Sequence, residues 1–105
     1  MTKSIKTFAA LAIAGAVSMT SVGVALAEDG PTVKAVKERG EVLCGVHQGR
    51  YGFAIADNQG KWKGLDVDYC RAVAAAVLGD SEKVKYIPLG SVQRFPALQS
   101  GEVDM

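Results

Sequence analysis

The residues able to do chemistry are few, and the most promising follow apolar runs. His47, the single histidine, opens the segment His47-Gln48-Gly49-Arg50-Tyr51-Gly52, with Phe53 directly behind it. An imidazole, a guanidinium and two aromatic rings so close together can line a pocket for a small polar ligand. Ser91 follows Gly90 after a later apolar run. Asp66 and Asp68 form a carboxylate pair, but capping and dipole interaction at a helix start explain them better than acid–base work. Arg94 reads as a residue that pairs with a nearby carboxylate or lays its stem on apolar surface. No G-x-S-x-G elbow supports a hydrolase, and no C-x-x-C motif supports a thiol oxidoreductase. Two cysteines and one histidine cannot complete a four-ligand zinc site of the finger type. Neither a metal nor a cofactor is expected.

The elements that must position these groups follow from the pattern around them. Pro31 to Arg39 reads as a short helix, with Asp29 or Gly30 as cap, proline at the first helical position and Gly40 at the exit. Glu41 to Val46 reads as a strand. Its unbroken apolar run suits a parallel sheet covered on both faces. Phe53 to Ala56 is a short extended piece. Asp57-Asn58-Gln59-Gly60 has turn chemistry, and Lys61 to Gly64 returns as the partner, with Trp62 packing on the hairpin. Asp66 to Leu78 is the clearest helix. Val67, Cys70, Val73, Ala74, Val77 and Leu78 make one apolar stripe, Asp66 is the expected N-cap, and Gly79 follows. Lys83 to Leu89 reads as a second strand. Gly90-Ser91, with Ser91 as cap, opens a helix running to about Ser100, where Pro96 shortens or shifts the first turn. Val103 to Met105 begins a third strand.

Strand, helix, strand, helix, strand makes two βαβ units, which require a parallel sheet with right-handed crossovers. Ligands bind beyond the carboxyl ends of such strands. His47 to Phe53 and Gly90-Ser91 lie at that same edge.

The chain has 105 residues and a formal net charge of +1. It carries no Lys/Arg cluster to follow a phosphate backbone, so no nucleic-acid partner is expected. With 49% hydrophobic and 22% charged residues it is not of disordered composition. These totals mix two segments. Lys3 and Lys6 precede 21 uncharged residues, Thr7 to Ala27, ending in Ala25-Leu26-Ala27. A basic start, an apolar stretch and a small-x-small end describe a signal peptide cleaved between Ala27 and Glu28. The alternative is an uncleaved anchor, which Ser18, Thr20, Ser21, Gly15 and Gly23 make a weak span. Cleavage leaves ten basic against eleven acidic residues and a small core.

Cys44 and Cys70 both lie after the leader. In an oxidising compartment an even count suggests a disulfide, worth about 3.5 kcal/mol in the chain-entropy model. The alternative is two buried thiols acting as small apolar residues. Cys70 lies on the apolar stripe of its helix. Cys44 meets it only if it faces the helix-covered side of its strand, since strand side chains alternate.

Several stretches together resemble a known family. Val42-Leu43-Cys44-Gly45-Val46, Gly52-Phe53, Gly64-Leu65-Asp66-Val67-Asp68, Arg71-Ala72-Val73-Ala74-Ala75-Ala76 and Arg94-Phe95-Pro96-Ala97-Leu98-Gln99-Ser100-Gly101-Glu102-Val103-Asp104 look like the family 3 periplasmic solute-binding proteins, the amino-acid receptors of ABC importers. The likeness is greatest to the general L-amino-acid-binding subgroup, which also carries a cysteine in the first strand and another in the Asp-rich helix. It covers nearly all of residues 31–105. The G-[LF]-D-V-D helix start and the A-L-Q-S-G-x-V-D segment are specific in combination.

The resemblance implies an α/β fold of the type II periplasmic binding protein kind, with two lobes and the amino acid held between them. On that likeness residues 1–27 are the signal peptide and residues 28–105 the first part of lobe one, βαβαβ with a parallel sheet. It implies a periplasmic receptor, not an enzyme, with an L-amino acid as ligand and the membrane permease of an ABC importer as partner. Membrane contact is then limited to the signal peptide. His47 falls where many relatives carry an Asp that binds the α-ammonium, or an Asn in the general subgroup. Arg50 falls where an aromatic often packs on the ligand. Both depart from the pattern. Tyr51 and Phe53 supply wall area, and Ser91 stands at the cleft after the second strand. The arginine that clamps the α-carboxylate lies beyond Met105. The alternatives are a dehydratase or lytic transglycosylase on the same fold, or a sensor input domain. An enzyme needs a carboxylate in the cleft, and the first loop offers none before Asp57.

Overall fold

The computed structural model describes residues 27–105. The expected leader, apart from Ala27, lies outside the described residues. Helix α1 (Pro31–Arg39) leads into strand β1 (Val42–His47). A small antiparallel hairpin of β2 (Ile55–Ala56) and β3 (Trp62–Lys63) precedes helix α2 (Leu65–Leu78). Strand β4 (Val84–Leu89) and helix α3 (Arg94–Ser100) follow.

β1 and β4 pair in parallel, from Val42 opposite Val84 to His47 opposite Leu89. The connection through α2 makes this a βαβ unit with the hairpin inserted. Pro88 is tolerated in β4 because a proline costs nothing on the side of a strand that needs no ladder donor. Residues 103–105 run beside β1, where the Asp104 N–H donates to the Leu43 carbonyl (2.8 Å) and the Gly45 N–H to the Met105 carbonyl (2.9 Å). The segment expected as a third strand is thus held against β1 by two bonds but has too little ladder to be one.

The core lies between the sheet and the first two helices. Val36 of α1, Val42, Cys44 and Val46 of β1, Ala54, and Val67, Cys70 and Ala74 of α2 form one buried cluster. Val73, Val77 and Leu78 flank it, as does Trp62, whose ring lies 6.0 Å from that of Tyr86. The side chains of β1 alternate, and the even-numbered set, Cys44 included, faces α2. Cys44 and Cys70 are joined by a disulfide with their Cα atoms 6.0 Å apart, inside the range such a bridge needs.

Two helix starts, those of α2 and α3, differ from expectation. α2 is capped by Gly64, not Asp66, while α1 is capped by Gly30, one of the two residues expected there, without a side-chain cap. α3 begins at Arg94, preceded by a turn in which the Gln93 side-chain oxygen accepts the Gly90 N–H (2.9 Å) and the Gly90 carbonyl accepts the Gln93 N–H (3.0 Å). Gln93, not Ser91, therefore ties that turn. Starting at Arg94 also places Pro96 within the first turn, where a missing N–H costs no helical bond.

Candidate functional site

β1 and β4 end side by side at His47 and Leu89. Three segments meet beyond them: the loop after β1, the first turn of α2, and the turn into α3. They enclose an open cleft of about 280 Å³ lined by His47, Arg50, Phe53, Asp66, Ser91 and Arg94. This is the edge at which parallel sheets hold ligands.

Local contacts set each group. The His47 N–H donates to Asp66 Oδ2 (3.3 Å), tying the end of β1 to the start of α2. His47 Nδ1 accepts the Gly49 N–H (3.2 Å), and Nε2 has no protein partner among the described residues. The loop then turns back on itself. The Arg50 N–H donates to the Ala54 carbonyl (2.8 Å), and the Phe53 and Ala54 N–H groups both donate to the Arg50 carbonyl. That turn sets the Arg50 guanidinium 5.9 Å from the centre of the Phe53 ring, within cation–π range. The first amides of α2 fix the loop from the other side, Leu65 N–H donating to the Gly52 carbonyl and Asp66 N–H to the Phe53 carbonyl, each at 2.9 Å.

Tyr51 stands apart. It is 86% exposed at the loop tip and does not line the cleft. Two lining residues were read otherwise from sequence. Asp66 was assigned to capping, yet its carboxylate reaches across to β1. Arg94 reads from sequence as pairing with a carboxylate or laying its stem on apolar surface; it makes no ion pair among the described residues, and it lies beside Phe95 and Leu98 as well as lining this cleft. The signal for Arg94 was its place three residues after Ser91, at the same strand-end edge. The cleft does therefore hold a carboxylate, that of Asp66, which the first loop alone lacked. Among the described residues no three His, Cys, Asp or Glu side chains converge as metal ligands.

The charge of the lining is unbalanced, with two guanidinium groups against one carboxylate already engaged by a backbone N–H. Such a surface suits a ligand that brings its own carboxylate. Residues 42–105 match the bacterial extracellular solute-binding proteins, family 3. The chain belongs to that family. It is 58% identical over 76 residues to the putative amino-acid ABC transporter-binding protein YhdW of Escherichia coli strain K12, covering 72% of this chain and 22% of that protein. It is 53% identical over 81 residues to the general L-amino acid-binding periplasmic protein AapJ of Rhizobium johnstonii, covering 77% of this chain and 24% of that one. A solved ABC transporter/periplasmic binding protein from Brucella ovis, with glutathione bound, superposes with a TM-score of 0.68 at 53% identity over 71% of this chain and 23% of that one. The chain spans about a quarter of the length of these relatives. Its fold is the α/β fold of a type II periplasmic binding protein, and the relatives reported are named as binding proteins, not enzymes.

Proposed function

We propose that this family member serves as a periplasmic receptor for L-amino acids, that residues 28–105 supply one wall of its cleft, and that it delivers its ligand to the permease of an ABC importer. The observation that carries the reading is the convergence of His47, Arg50, Phe53, Asp66, Ser91 and Arg94 at the carboxyl ends of two parallel strands. Their chemistry is that of grip. The guanidinium groups attract a carboxylate, the Phe53 ring and the Arg50 stem offer apolar wall, and Ser91 offers a hydroxyl. Among the described residues no hydrogen bond joins the Ser91 hydroxyl to His47, and one oxygen of the Asp66 carboxylate holds the His47 N–H and so β1 to α2. That favours binding over the dehydratase and transglycosylase readings. Tyr51, at the rim, contributes only if a ligand or a partner reaches the loop tip. Export is proposed through cleavage between Ala27 and Glu28.

Isothermal titration of the protein expressed from its full reading frame tests this. Binding of several polar L-amino acids is the expected result. Heat only with sugars or metal ions would overturn it. Mass spectrometry of the exported form should give an N-terminus at Glu28.

A further inference from the structure

We infer that Gly64 is a positioning residue for the ligand-facing wall: its missing side chain is what allows the Arg50–Phe53 turn to stand where the cleft needs it. The inference rests on the amino-acid-binding reading above. Gly64 precedes α2 with φ 127° and ψ 178°, a region open essentially to glycine alone. A Cβ there would strike the Phe53 carbonyl, with the carbonyl carbon 2.5 Å away and the Ala54 nitrogen 3.0 Å away. Both atoms are backbone, so no side-chain rotation relieves the contact. Either the Phe53 peptide or the start of α2 must retreat by on the order of 1 Å, because a packed interior does not compress.

That peptide is the one through which the site is assembled. The Phe53 carbonyl accepts the Asp66 N–H, the Gly52 carbonyl accepts the Leu65 N–H, and Arg50 is held by three backbone bonds to Phe53 and Ala54. Asp66 in turn holds the backbone of His47. A displacement at Gly64 therefore reaches Arg50 and Phe53 through the turn, and His47 through Asp66, while Gly64 itself does not line the cleft. Gly79, at the other end of α2, also has a positive φ of 74°, but a Cβ there meets nothing within 4 Å. It is the control for a substitution that strains backbone without crowding the site.

The test is titration calorimetry with L-glutamate, L-glutamine and L-alanine on the full-reading-frame protein and four variants: Gly64→Ala, Gly79→Ala, Arg50→Ala and the double variant Gly64→Ala/Arg50→Ala. Gly64→Ala should weaken the best ligand about tenfold or more, the scale of one misplaced charge-assisted hydrogen bond. Gly79→Ala should stay within about twofold of the parent, whatever its melting temperature, since it touches no lining residue. In the Arg50→Ala background the Gly64→Ala effect should shrink but not vanish, because one of the groups it misplaces is gone while Phe53 and His47 remain. Parental affinity in Gly64→Ala, or full additivity of the two changes, would overturn the inference. If Gly64→Ala does not fold, Arg50→Ala and Phe53→Ala decide. A tenfold loss in either supports a positioned wall, and unchanged affinity in both overturns it. A parent that binds no L-amino acid sinks the functional reading and this inference with it, an outcome distinct from a binding parent with an indifferent Gly64→Ala.

Discussion

Val42, Cys44 and Val46 point to one side of β1, and each is at most 1% exposed beneath α1 and α2. Leu43, Gly45 and His47 point to the other and are only half-buried. There β1 meets Leu89, Val103 and the backbone of Met105, and a Cβ at Gly45 would lie 3.0 Å from the Leu89 side chain. α3 buries a single residue, Ala97, on that side, and leaves Phe95 76% exposed and Leu98 half-exposed. One strand thus has a closed face with eight buried residues and an open face whose cluster is Leu89, Ala97 and Val103. The disulfide and the hairpin lie on the closed side. The candidate cleft lies at the strand ends, where the buried side anchors the loops through Ala54 and the start of α2.

The largest expected effect follows from breaking the closed face at its covalent tie. Cys44→Ala/Cys70→Ala should lose about 2–4 kcal/mol, since the bridge closes a long loop and both cysteines are buried. Thermal melting of the variant against the parent reads this. A melt within about 2 °C of the parent would mean that the packing on that face carries the stability without the bridge. Reductant should act slowly on the native protein, since each cysteine is only 1% exposed.

Val67→Ala is the next step down. Val67 is fully buried at the centre of the closed cluster, and truncation there should cost about 2 kcal/mol. Its counterpart on the open face is Phe95→Ser, which should change stability by no more than about 0.5 kcal/mol, because the ring is mostly in water already. Urea denaturation of both variants compares the faces directly. Equal losses would erase the distinction.

Between these two in size lies Asp104. Its Oδ2 accepts the Leu43 N–H (2.8 Å) and pairs with the Arg39 guanidinium, while its own N–H donates to the Leu43 carbonyl. Asp104 therefore fastens the 103–105 segment to the edge of β1 opposite β4. Asp104→Ala should cost about 1–2 kcal/mol by leaving the Leu43 donor without its carboxylate. Hydrogen exchange should quicken at Leu43 and Gly45 before it does at residues under α2. Exchange that quickens evenly over the strand would contradict a separate fastening at this edge.

Much of the closed face was readable from sequence because periodicity there is dense. The apolar run of β1 and the stripe Val67, Cys70, Ala74 each have few competing interpretations. Element starts were less readable, because several residues with good capping chemistry compete and tertiary contact picks one. Asp66 has a better cap side chain than Gly64, but only glycine can pass the Phe53 carbonyl, so the cap moved and the carboxylate was released to reach His47. Ser91 lost to Gln93 for a similar reason, since the longer side chain closes the turn onto Gly90. The strand-end rule brought His47, Arg50, Phe53 and Ser91 forward as candidates, and they do meet in one cleft. Tyr51, which the same rule and the resemblance put forward as wall area, lies outside it. Asp66 and Arg94 were missed because each had an ordinary local role that sequence could not overrule.

The smallest expected effect concerns the hairpin that closes one end of the buried face. Asp57 Oδ1 accepts the Lys61 N–H (2.8 Å) and the Gln59 N–H (2.9 Å), and this turn returns β3 so that Trp62 packs on the cluster and on Tyr86. The Lys61 N–H first, and the Gln59 N–H second, hold the Asp57 carboxyl below its ordinary value of 3.8, with Lys63 and Lys61 adding attraction. A folded-state value below the unfolded one means that the ionised form supports the turn. Its contribution is complete above about pH 4–5 and is lost as the pH falls through the lowered value. Asp57 is fully exposed, so the effect is local to the hairpin and does not govern global unfolding. Trp62, the only tryptophan, reports on it. Its emission should shift to the red below about pH 4 while backbone circular dichroism still shows a folded protein. In Asp57→Asn the amide oxygen can still accept both N–H groups but carries no charge to lose, so the acid shift should disappear. The same acid shift in parent and variant would show that the hairpin opens for another reason, and that the closed face is no tighter at this end than the face across the strand.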